Sequence, residues 1–190
     1  MNKLSFKVAQ IYATLLVGIF IGSVLLWEQF HGGVISHHIL QRKELAGISN
    51  WWGLLLLPLL CWISFYNMHK RVKKLKADEQ IVRIEIKQMA IGFIGALIYG
   101  ISLATAFSFE NTLFLDYQVD CLIPLLLFVP MYRSEYILGF VLGMTVTFGA
   151  VLPLGFALIV VIPSAIIFLY LRPIVLPLFQ LFFGKKEKKK

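Results

Sequence analysis

Long apolar runs separated by short polar segments set the pattern of this chain. The runs fall at about residues 8–27, 51–68, 88–109, 116–132, 136–152 and 155–171. A helix that crosses a bilayer needs about 20 mostly apolar residues, so each run reads as one crossing. The predicted fold class is all-α: a polytopic integral membrane protein, a bundle of six transmembrane helices in a single membrane domain, residues 1–190. The first run has Lys3 and Lys7 before it and is longer than a signal-peptide core, so it reads as a retained helix, with a signal peptide as the lesser alternative. Pro58 lies inside the second run, where membrane helices tolerate it. The fourth run is short and borrows Leu113 to Val119. The tight polar break Arg133-Ser134-Glu135 follows it. Without a turn the last stretch would run from Tyr136 to Leu171, too long for one crossing, and Pro153 with Gly155 are the best turn residues there.

Composition agrees with the pattern. Hydrophobic residues make up 59% of the chain and charged residues 15%, against roughly 25% charged in soluble domains. This excludes a disordered chain and an ordinary water-soluble domain. The net charge of +8 suggests nucleic acid until it is mapped. Of the 18 basic residues, all but Arg42 and Lys43 lie before the first run, in the segment 69–87, at Arg133, or in the tail 172–190. Basic residues mark cytoplasmic segments, so both termini are expected in the cytoplasm, with the loop 28–50 outside. Lys70, Arg71, Lys73, Lys74 and Lys76 then read as contacts to anionic lipid on the cytoplasmic side, and no motif supports nucleic-acid binding.

Candidate chemistry concentrates outside. The loop 28–50 carries Glu28, His31, His37 and His38, with Gly32-Gly33 as a bend and Ser49-Asn50 as a cap for the next helix. The plain reading is an amphipathic segment lying on the outer face. The sharper one is a metal or acid/base site: His31 and His38, seven apart, share a face if helical and are the metal candidates, although no H-x-x-x-H spacing accompanies them. Glu110, Asp116 and Asp120 lie on the next outer segment. Asp116 and Asp120 share a helical face by their i, i+4 spacing, and acids entering a membrane helix are functional candidates. Glu28, His31, His37, His38, Asp116 and Asp120 together form the expected ligand-binding cluster at the outer mouth of the bundle. No cofactor is named by the sequence. Cys61 and Cys121 make neither a disulfide framework nor a metal spacing.

Gly18 with Gly22, Gly139 with Gly143, and the Gly92–Ala96–Gly100 face are small-residue spacings that let helices pack closely. Packing within the chain is the first expectation, and a homodimer or membrane complex the alternative. Walker A, G-x-S-x-G and dinucleotide-binding motifs are absent, and no charge lies at the centre of a span. In helix count, size and placement of the termini the chain resembles the substrate-binding components of vitamin-uptake transporters, a likeness of architecture that no motif accompanies. The segment Glu44-Leu-Ala-Gly-Ile-Ser-Asn50 is similar to the acid–serine–asparagine segment of alkaline ceramidases, but no histidine follows His69, where that family has its paired ligands. Neither family is assigned.

The expected function is binding or transport of a small-molecule or lipid ligand, or support of a membrane complex. The alternative is a membrane hydrolase or transferase acting on lipid at the outer leaflet, using a metal or a nucleophile such as Ser36 or Ser49 beside a histidine. Short loops and the lack of a targeting segment favour the bacterial inner membrane as the location.

Overall fold

A backbone in an apolar medium must bond its own N–H and C=O groups, so long apolar runs become helices. The computed structural model, which describes residues 3–38, 47–75, 79–175 and 177, contains six of them: α1 (Lys3–Phe30), α2 (Trp52–Lys74), α3 (Glu79–Ser108), α4 (Thr112–Phe128), α5 (Ser134–Phe148) and α6 (Val151–Ile166), with a π-helical turn Ile167–Leu171 continuing α6. Among the described residues four spans are long and apolar enough to cross a membrane: Phe6–Phe30, Trp52–Lys74, Glu79–Ser108 and Val151–Val175. Their outward faces are apolar, with Ile19 71% and Ile159 69% exposed, a surface suited to lipid rather than to water. α4 has 17 residues and α5 has 15, roughly 25 and 22 Å by helical rise.

The short α5 is enclosed by its neighbours. It packs on α3, α2 and α6 and buries Leu138, Phe140, Val141 and Thr145. The main core joins Ile21 and Leu25 of α1, Leu57 and Cys61 of α2, and Leu138 and Val141 of α5. A smaller cluster of Phe6, Met68 and Met89 places the start of α1 beside the end of α2 and the start of α3. This end, with Arg71 at the end of α2, Lys87 in the third turn of α3, Arg133 before α5 and Arg172 after the π-helical turn, is the basic end of the bundle.

Closest approach occurs between α3 and α5. A Cβ on Gly143 would lie 2.5 Å from the Leu97 carbonyl oxygen, and one on Gly100 would lie 2.6 Å from that of Phe140. A Cβ on Gly139 would collide with the Phe93 carbonyl oxygen. The two small faces read from the sequence therefore meet each other. A Cβ on Gly22 of the Gly18–Gly22 pair would meet nothing within 4 Å among the described residues.

The elements depart from the apolar runs in three places. First, the chain turns at Gly149-Ala150 rather than at Pro153–Gly155. Gly149 adopts φ +69°, and Pro153 sits in the first turn of α6, where a missing N–H leaves no bond unmade. Second, the basic segment is largely helical, since α2 runs on to Lys74 and α3 starts at Glu79. Hydropathy registers only the apolar part of a helix, and these helices continue beyond it. Third, the loop after α1 is no single amphipathic segment. It contains a short antiparallel hairpin, β1 (Ser36–His38) and β2 (Gly47–Ser49), in the register Ser36 to Ser49 and His37 to Ile48. Residues 39–46, with Arg42, Lys43 and Glu44, lie outside the described residues, as do Lys76 and the terminal lysines.

Candidate functional site

At the hairpin end, α1 closes on a carboxylate. Glu28 is 3% exposed. Its Oε1 accepts a hydrogen bond from Asn50 Nδ2 at 2.7 Å, and its Oε2 accepts one from the Ile35 N–H at 3.1 Å. Its carbonyl accepts from His31 N and Gly33 N, at 3.0 and 3.1 Å. Gly32 and Gly33, at φ +118° and +98°, reverse the chain there at low steric strain. The Asn50 N–H then donates to the Ile35 carbonyl at 3.0 Å. One buried carboxylate thus fastens the hairpin to the end of α1 and the start of α2. The turn after α5 docks on the same node: a Cβ on Gly149 would overlap Asn50 Oδ1 and lie 3.2 Å from His37 Cδ2.

Of the six residues proposed from sequence, the structure brings Glu28 and His37 into one polar node with Asn50. His31 is exposed, its ring stacked on Trp27 at 4.5 Å, with Nδ1 2.7 Å from the Trp27 carbonyl oxygen. Asp116 and Asp120 are exposed on α4 and form no ion pair among the described residues. The His38 side chain lies outside the described residues. The inward polar group of α4 is Gln118, 8% exposed. Its Nε2 donates to Ser102 Oγ at 2.8 Å, and the Tyr99 hydroxyl donates to the Gln118 main-chain carbonyl at 2.8 Å. Among the described residues no three His, Cys, Asp or Glu side chains could hold a metal.

His37 Nε2 is buried without a hydrogen-bond partner among the described residues. Burial holds its pKa below the ordinary 6.5, against a smaller upward pull from the Glu28 carboxylate. As pH falls, the unfolded chain takes up the proton before the folded one. The stability that neutral His37 contributes is therefore full above 6.5, declines as pH falls through that value, and levels off below the folded-state value. Corrected for intrinsic rates, amide exchange at Ile35 and Asn50 should quicken between about pH 7.5 and 5. The His37→Leu variant should show much less of this response; equal responses in both proteins would remove His37 from the account.

The basic end holds a second polar node. Arg71 Nη2 lies 2.6 Å from Glu135 Oε1 and its Nη1 3.2 Å from Oε2, while its Nε lies 2.7 Å from Glu85 Oε1. Arg133 Nη1 lies 3.7 Å from the same Glu85 oxygen. Glu135 is 1% exposed. Ser64 and Ser134 exchange hydroxyl-to-carbonyl hydrogen bonds at 3.3 Å beside it. Arg71, read from sequence as a lipid contact, is engaged by two carboxylates. Lys70, Lys73 and Lys74 stay exposed.

Between α3, α4, α5 and α6 lies a cavity of about 350 Å³. Its lining is aliphatic and aromatic, with the Tyr99 and Tyr136 hydroxyls the polar groups among the side chains that line it. Tyr99, Phe140 and Phe156 close it toward the hairpin end, their neighbouring rings 6.3 and 5.8 Å apart. Tyr136 and Met131 form its floor toward the basic end. Ile91, Gly95 and Phe156 line it and are also exposed, so it opens on the side of the bundle. Sequence reasoning missed this site. Its one legible signal is the small face of α3, where Gly92, Gly95 and Ala96 leave room.

No protein-family model, no curated protein and no solved structure matches this chain.

Proposed function

We propose that this chain is an integral membrane protein of six crossings that binds a small, largely apolar ligand in the cavity between α3 and α6. The basic end faces the cytoplasm, the hairpin end faces outward, and the membrane is the plasma membrane, a bacterial inner membrane in particular. The charge distribution supports the orientation. At the hairpin end, exposed Trp27, Trp51 and Trp52 fit an interfacial aromatic belt. The Glu28–Asn50–His37 node serves as the latch that closes that end, with its carboxylate already occupied by protein donors.

The observation that carries the reading is the cavity itself. Its volume of about 350 Å³ is within the range of small-molecule sites, which are concave, mostly apolar and oriented by a few polar groups. Tyr136 supplies such a group at the floor. Its opening on the side of the bundle would admit a molecule dissolved in lipid without passage through water.

Gly95 offers a clean test. It lines the cavity, and a Cβ there meets nothing within 4 Å among the described residues, so Gly95→Trp fills the site without pressing on a neighbouring backbone. With decanol as the probe, native mass spectrometry of the detergent-released protein should show one bound molecule in the parent. Binding should be at least about tenfold weaker in the variant, a difference of about 1.4 kcal/mol. Folding should be kept. Equal occupancy in both proteins would rule out the cavity as the site.

A further inference from the structure

Resting on that reading, we infer that the natural occupant is an acidic phospholipid: one acyl chain lies in the cavity and the phosphate rests on Arg172 and Lys87 at the basic end. The cavity has a polarity along its length. Its hairpin-side limit is the ring cluster of Tyr99, Phe140 and Phe156, which offers an alkyl chain a closed apolar end. Its other limit lies next to cations. Met131 lines the cavity, and the adjoining Tyr132 ring is 6.2 Å from Phe168. Over Phe168, at 5.0 Å, stands the Arg172 guanidinium. On α3, Lys87 precedes the lining residue Ile91 by four positions and so shares its face.

Several cations at this end are exposed, Lys70, Lys73, Lys74 and Arg83 among them; Arg172 and Lys87 are the two tied to the cavity lining. Arg71 and Arg133 are drawn to Glu85 and Glu135. Arg172 and Lys87 are exposed and have no carboxylate partner among the described residues. Ile91 lies at the sideways opening of the slot, so guanidinium and ammonium groups on the basic side of that opening suit a phosphate attached to a hydrocarbon chain. The chain would be held by burial and the headgroup by charge, so the site would distinguish lipids by headgroup while tolerating differences in tail.

The experiment compares phosphatidylglycerol with phosphatidylcholine of identical acyl chains, added to the full-length protein in neutral detergent and counted by native mass spectrometry, with decanol as the chain-only control. Each basic group near an anionic headgroup contributes roughly a fivefold preference. The parent should therefore favour phosphatidylglycerol well over fivefold, and Arg172→Gln and Lys87→Gln should each remove about fivefold while leaving decanol binding unchanged. Gly95→Trp should abolish retention of both lipids and of decanol. Equal retention of the two lipids by the parent, with decanol still bound, overturns this inference and leaves the cavity reading intact. Absence of decanol binding overturns the cavity reading. A headgroup preference unchanged in the Arg172→Gln, Lys87→Gln double variant also overturns the inference, by placing the anion elsewhere.

Discussion

Leucine at Gly143 or Gly139 is expected to abolish the folded protein. The cause is main chain, which has little freedom to retreat. A first side-chain carbon on Gly143 would lie 2.5 Å from the Leu97 carbonyl oxygen and 2.9 Å from the Ile101 nitrogen, well inside van der Waals contact. The Gly139 position is tighter still against the Phe93 carbonyl. Accommodation requires α3 and α5 to separate, and separation empties a contact that runs from Phe93 to Ile101. Overpacking of ordinary cores costs about 1–3 kcal/mol; here the obstacle is helix backbone on both sides, so even Gly143→Ala should reach or exceed the top of that range. Leucine should leave no monodisperse species after detergent extraction. The comparison variants are Gly22→Leu and Gly95→Leu, whose Cβ positions are open, and these should extract and melt like the parent. The readout is the thermal midpoint of the detergent-solubilised protein by size exclusion after heating. A Gly143→Ala protein melting within about a degree of the parent would mean that the helices are not in contact as described, since about 1 kcal/mol moves the midpoint of a domain this size by a few degrees.

That contact shows what a sequence can and cannot disclose. Gly92, Ala96 and Gly100 at i, i+4, i+8 mark a packing face on α3, and Gly139 with Gly143 mark one on α5. The spacing alone does not say that these two faces meet while Gly22 faces open space. Long apolar runs announce helices because a bilayer leaves the backbone no other way to satisfy its polar groups. The ends of the helices are less legible, because Glu79–Lys87 and Arg71–Lys74 are polar and helical at once. The acids of α4 illustrate the same limit for sites. Asp116, Gln118 and Asp120 lie within one and a half turns, and charge draws attention to the aspartates. Packing turns a different residue inward: the Gln118 side chain reaches Ser102, its main-chain carbonyl accepts from the Tyr99 hydroxyl, and the aspartates are exposed. The hairpin strands are three residues each, too short for alternation to register. Glu28 reads from the sequence as one acid of the outer polar cluster, but its partners Ile35 and Asn50 are set by the chain reversal at Gly32-Gly33.

Removal of Arg71 is expected to destabilise the protein by about 3–5 kcal/mol, because a carboxylate would be left inside without its cation. Glu135 is 1% exposed and its two oxygens are held by the Arg71 guanidinium at 2.6 and 3.2 Å. Its position in the first turn of α5 gives it some help from the helix N-terminus, worth less than about 1 kcal/mol in most settings. Glu85 keeps Arg133 at 3.7 Å when Arg71 is gone, so the orphan is Glu135 alone. The double variant Arg71→Met, Glu135→Met should therefore recover most of the loss, since a buried ion pair replaced by apolar groups of similar size is often neutral or better. The pair joins residues 64 positions apart in sequence and pins α2 to α5 directly below the cavity. Tyr136, the next residue, forms the cavity floor and fills the space over Gly92, where a Cβ would lie 2.8 Å from its ring. Arg71→Met should accordingly weaken decanol binding as well as stability, and the double variant should restore both together. If Arg71→Met melts with the parent, the ion pair is not holding the floor. If stability returns in the double variant while decanol binding does not, Tyr136 depends on the charge itself rather than on the packing it secures.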